Sequence, residues 1–117
     1  MMRALALILA MALPLQAQEA SLANGATIRL LDRITGQLAD VDIFVGQTAR
    51  LGQIDIDLEE CRYPTGNPSG DAFAFLDIED RTTEEPVFAG WMIASSPALN
   101  ALDHPRYDVW VIRCRTS

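Results

Sequence analysis

Ser95, Ser96, Asp103, His104 and Asp108 lie in one short stretch, "GWMIASSPALNALDHPRYDVW" (Gly90–Trp110), and His104 is the chain's one histidine. A serine, a histidine and an aspartate are the parts of a nucleophilic triad, which needs a serine hydroxyl hydrogen-bonded to the imidazole and a carboxylate behind it. No G-x-S-x-G elbow presents either serine. Ser96-Pro97 has the form of a helix N-cap followed by proline at the first helical position. His104 precedes Pro105, which holds it at a corner. These constraints favour architecture over catalysis, and no catalytic residue is assigned.

Other chemistries find less support. Asp55, Asp57 and Glu59 alternate along one strand, and Asp77, Glu79 and Asp80 read the same way, as solvated faces. They lack the glycine and loop spacing of a calcium-binding EF-hand. Gly66 and Gly70 are not followed by the Lys-Ser/Thr of a phosphate loop. Cys61 and Cys114 are too far apart for a C-x-x-C site. No cofactor and no metal is expected.

The elements that must hold these residues are short strands. "ATIRLLD" (26–32), "LADVDIFV" (38–45), a short segment at 47–51, "QIDIDLEECRY" (53–63), "DAFAFLDIED" (71–80), "VFAGWMI" (87–93) and "YDVWVIRCR" (107–115) are separated by turn signals such as "PTGNPSG". The strictest alternation sets Ile54, Ile56 and Leu58 against Asp55, Asp57 and Glu59, the pattern of a half-buried antiparallel strand. Gly90 within a strand suggests a bulge or a close backbone approach. In the last strand, Tyr107, Val109 and Val111 share one face, and Trp110, Ile112 and Cys114 the other. The pattern predicts an all-β fold, a small antiparallel sandwich or barrel of about 6–8 strands, with one short helix at 97–102.

Met1-Met2-Arg3, the uncharged apolar run Ala4–Leu15 and the small residue Ala17 have the layout of a secretory signal. The run falls short of the roughly 18–20 residues that span a bilayer. A signal peptide over residues 1–17 and a single periplasmic β-domain over residues 18–117 follow, with no transmembrane span after cleavage. In an exported chain Cys61 and Cys114 are expected to form a disulfide. Sixteen acidic residues stand against nine basic ones, all arginine, for a net charge of −7. That balance argues against nucleic acid and anionic lipid as partners.

Trp91 and Trp110 read either as core or as part of an exposed aromatic patch. The segment Val87–Leu102 carries no charged residue, as either a core or an interface would. The surface chosen as a candidate for a protein partner is Trp91, Ser95, Ser96, Pro97, His104, Tyr107 and Trp110.

"DRITG", "VGQTARLGQIDIDLEECRY", "AFAFLDIED" and above all "VFAGWMIASSPALNALDHPRYDVWVIRC" resemble the alphaproteobacterial domain-of-unknown-function family DUF2155 across roughly Thr27–Cys114. The resemblance implies an exported protein of a Gram-negative cell. By gene association with a small respiratory NADH dehydrogenase subunit, it also implies an accessory role at a membrane complex. It carries no catalytic residue. Here "CRYPTGNPSGDAFAF" stands where relatives tend to have a loop richer in proline and glutamate. The expected function is a non-catalytic protein-binding or accessory subunit on the periplasmic side of an envelope complex. The alternatives are a small periplasmic serine hydrolase using Ser96 and His104, and a ligand-binding or inhibitor-like domain.

Overall fold

The computed structural model describes residues 19–116; the expected signal peptide and its cleavage point lie outside them. Eight strands follow one another: β1 (Ala20–Leu22), β2 (Gly25–Asp32), β3 (Leu38–Phe44), β4 (Thr48–Leu51), β5 (Ile54–Pro64), β6 (Phe73–Asp80), β7 (Glu85–Ile93) and β8 (Tyr107–Arg115). All pairings are antiparallel. The larger sheet runs β1-β5-β6-β7, with β4 also paired to β5, and the smaller runs β3-β2-β8. Together they make a sandwich.

Alternation builds this core directly. Ile54, Ile56 and Leu58 of β5 and Ala74, Leu76 and Ile78 of β6 are buried from the larger sheet, facing Ala26 and Ile28 of β2 and Val109 and Val111 of β8. Each fully buried Ile or Leu contributes about 1.5–3 kcal/mol over its exposed state. Seven strands lie close to where alternation predicts them. The unexpected one, β1, has three residues and pairs only with the last turnward residues of β5.

Bulges break the alternation at three places. Register shifts leave Glu59 of β5, Val87 of β7 and Ile112 of β8 as extra residues. An extra residue changes which face the following side chains occupy. In β5 the buried positions run Ile54, Ile56, Leu58 and then Cys61; in β8 they run Tyr107, Val109, Val111 and then Cys114. Cys114 therefore shares the interior face with Val111, contrary to strict alternation. Both cysteines reach the interior because their strands each carry one extra residue. There they join as a disulfide across the two sheets.

The expected helix at 97–102 is absent. Residues 94–106 form an irregular connection with two successive turns, closed by Ser96 N–H to the Ile93 carbonyl and Leu99 N–H to the Ser96 carbonyl, both at 3.1 Å. The backbone N–H and hydroxyl of Ser95 both donate to Asp71, and the Asn100 amide donates to the Trp91 carbonyl. These anchors hold the segment against β6 and β7. A six-residue helix would repay the cost of nucleation with very few internal bonds. The Asn100 contact also accounts for Gly90, where a Cβ would come within 2.8 Å of the Asn100 amide.

Cross-linking Cys61 to Cys114 closes a loop with a sequence separation of 53, which on the chain-entropy model stabilises by about 4 kcal/mol. The Cys61→Ala/Cys114→Ala variant is expected to lose stability of that order in urea unfolding. An unchanged midpoint would show that the bridge does not hold the sheets together.

Candidate functional site

His104 lies inside the protein, 4% exposed. Its Nε2 is 2.8 Å from Asp80 Oδ2, and its Nδ1 accepts the backbone N–H groups of Arg106 (3.0 Å) and Tyr107 (3.2 Å). Two donors aimed at Nδ1 assign the ring proton to Nε2, which donates to Asp80. Asp80 also accepts the hydroxyl and backbone N–H of Thr82. These bonds, Thr82's hydroxyl first and His104 next, hold its carboxyl down at about 2. Asp80 was expected on a solvated face with Asp77 and Glu79, yet it is buried. It is in phase with Ala74, Leu76 and Ile78, and that phase was its signal.

The same corner organises its neighbours. Arg106 pairs with Asp32 at 2.9 Å, and that guanidinium, helped by the backbone N–H groups of Ile34 and Thr35, lowers the Asp32 carboxyl to about 2. Arg33 donates to the His104 carbonyl. The Tyr107 hydroxyl accepts the Gln53 N–H at 3.1 Å, beside Gly52. At Gly52 φ is +55° and a Cβ would run into the tyrosine ring, so glycine is required twice over. Both ring nitrogens of His104 are thus occupied, and neither partner is a serine. Ser95 bonds to Asp71 instead, and among the described residues no serine is hydrogen-bonded to the His104 imidazole. Among the described residues, no group of three or more His, Cys, Asp or Glu is placed to hold a metal ion.

The candidate partner residues do not share a surface. His104 and Tyr107 are interior. Trp110 stands opposite Arg29 on the outer face of the smaller sheet. Trp91 lies on the outer face of the larger sheet, and both tryptophans are half-buried. Ser95, Ser96 and Pro97 sit in the loop after β7, with Ser95 and Pro97 exposed and Ser96 half-buried.

What surrounds Trp91 is a different set of residues. Phe75 meets it edge to face at 5.4 Å, and the Arg62 guanidinium lies 5.3 Å from its ring centre. Cross-strand pairing adds Phe73 and Ile93 to the same face, with Leu22 of β1 beside Arg62. Leu22 is 66% exposed. A cleft of about 390 Å³ opens among Ala20, Arg62, Pro64, Phe73, Trp91 and Ile93. Phe73 and Phe75 were not singled out from sequence, although they alternate with the buried Ala74 and Leu76 and so must point outward.

Further along this face the character changes. Past Phe75, the outward positions are Asp57 opposite Asp77, then Asp55 opposite Glu79. Glu59, the extra residue of β5, lies near Asp77, and the neighbouring carboxyl pushes its pKa up.

The family model described as "Uncharacterized protein conserved in bacteria (DUF2155)" matches residues 26–114, from the first long strand to the second cysteine. The chain belongs to the DUF2155 family. A DUF2155-like relative, an uncharacterised protein of Rickettsia prowazekii (strain Madrid E), is 30% identical over 94 residues, covering 78% of this chain and 60% of that protein. This chain therefore spans well under two thirds of that relative's length. No solved structure gives a significant match. The DUF2155 match covers the bulged strands, the His104 corner and the β5, β6 and β7 residues of the Trp91 face, and leaves β1 outside.

The displaced carboxyls set the pH dependence. Asp32 and Asp80 sit near 2 against an ordinary 3.8. Their contribution is complete above 3.8 and is lost as pH falls toward 2. Glu59 has the opposite sign: its raised value favours the fold at low pH, and that contribution is lost as pH rises through it. Thermal melts from pH 2 to 7 are expected to show falling stability below pH 4, with a shallower fall in Asp32→Asn. Glu59→Gln should melt higher than the parent at pH 7 and at the same temperature at pH 3.

Proposed function

We propose that this protein is a non-catalytic accessory domain that docks onto a protein partner through the outer face of its larger sheet. Its place would be the periplasmic side of an envelope complex. The observation that carries the reading is the outward-facing cluster of half-buried Phe73, Phe75, Trp91 and Ile93, with exposed Leu22 at its edge, under Arg62. Contiguous aromatic surface beside a cleft is what partner surfaces present, with tryptophan and arginine as their common anchors. The Cys61–Cys114 bridge fits an oxidising, extracytoplasmic location. The signal layout of residues 1–17 and the family's gene association point more narrowly to the periplasm and to a respiratory complex. Catalysis by Ser96 and His104 gains no support from a histidine whose two nitrogens are committed.

A photo-crosslinking amino acid placed at Leu22 or Ile93, in cells that natively express the protein, tests the surface. A protein adduct of defined mass is expected from both sites and none from Trp110 on the opposite sheet. Adduct from neither Leu22 nor Ile93 would sink the reading.

A further inference from the structure

The outer file of β6 reads Phe73, Phe75, Asp77, Glu79: two aromatic positions followed by two acidic ones on one exposed face. On β7 the division repeats, with Ile93 and Trp91 beside the aromatic half and Ala89 and Pro86 beside the acidic half. On β5 the neighbours are the Arg62–Glu60 ion pair and then Asp57 and Asp55.

The acidic half carries counter-charge only at its far end, where Arg50 and Arg81 pair with Asp55 opposite Glu79. Arginine is within 4 Å of Asp32, Asp40, Asp42, Asp55, Glu60 and Asp108. Among the described residues, none is so placed for Asp57, Glu59, Asp77 or Glu79. The outer face of the smaller sheet is different, because Arg29–Asp40 and Arg115–Asp42 neutralise it internally. Like charges packed on adjacent strands destabilise a sheet, and Asp57 stands directly opposite Asp77 across the β5–β6 ladder. An uncompensated patch continuous with an apolar cleft calls for a partner carrying both complements.

We infer that this face takes a basic, apolar segment of the partner protein, with apolar side chains in the Trp91 cleft and arginine or lysine over Asp57, Asp77 and Glu79. The inference rests on the docking reading above and adds the partner's chemistry. Alternate residues of an extended strand are about 7 Å apart. A segment lying along β6 therefore meets the two aromatic rows with its first two outward side chains and the two acidic rows with the next two. Its pattern is apolar, apolar, basic, basic at every second residue.

The test uses the oxidised protein with Trp110→Phe, which leaves Trp91 as the single fluorescent reporter. The probe is a short end-blocked peptide in which serine alternates with leucine, leucine, arginine and arginine. Saturable change in Trp91 emission is expected, and it should weaken as salt screens the charges. The same peptide with glutamate for arginine, or serine for leucine, should leave the emission unchanged. Asp77→Asn/Glu79→Gln should weaken binding by roughly tenfold while melting no lower than the parent, because it relieves repulsion. No response to the leucine–arginine peptide, equal binding of the glutamate peptide, or equal binding by the neutralised variant each overturns the inference. Crosslinks from Leu22 and Ile93 in cells alongside any of those results would leave the docking surface standing and remove only the basic partner.

Discussion

One extra residue in β5 and one in β8 allow the two sheets to be bolted together. Were β5 regular, with no bulge at Glu59, the phase that buries Ile54, Ile56 and Leu58 would continue to Glu60 and Arg62 and leave Cys61 outside. Were β8 regular, with no bulge at Ile112, Arg113 would turn inward in place of Cys114. The bridge thus depends on two local defects, in different sheets, that arrive at matching depth. A domain of about a hundred residues buries a modest share of its surface, so a covalent link between its layers carries weight that a larger core would carry by area. The same defect in β5 also shapes the outside. It places Glu59 against Asp77 at the line where the aromatic half of the face meets the acidic half.

The stretch Gly90–Trp110 resolves into two separate pieces of physics. Its C-terminal part is a corner in which three polar side chains face a partner: His104 to Asp80, Arg106 to Asp32, Tyr107 to the Gly52–Gln53 turn. A buried imidazole is tolerated because its ring is saturated with hydrogen bonds. The N-terminal part belongs to an outward-facing sheet surface and is completed by residues from β1, β5 and β6. Their closeness in sequence therefore says little about a shared task.

Much of the fold was legible because alternation is a direct consequence of a sheet with one wet side. Seven strands and the all-β class follow from it, while the pairing of the cysteines rests on their number in a chain expected to be exported, and the close approach at Gly90 on a glycine within a strand. The bulges have no reliable signature, since any residue can be the unpaired one, and so the face of Cys114 was misassigned. The helix failed because cap and proline signals describe how a helix starts, not whether enough residues follow to sustain it against Asp71 and Asn100. The candidate surface mixed residues from an interior corner and from two opposite faces. Phase along β6 held the better information, marking Phe73, Phe75, Asp77 and Glu79 as outward and Asp80 as inward.

The pairing of β8 with β2 carries a consequence for how the chain acquires its shape. Asn24 donates to the Thr116 carbonyl, 92 positions away, and β2 occupies the centre of the smaller sheet with β8 as one of its two neighbours. Half of that sheet does not exist until the final strand is available. Contacts this distant in sequence make assembly slow and cooperative. They also leave the two thiols apart until the sheets have found each other. The covalent seal between the layers is thus a late event, made possible by the arrival of β8 beside β2.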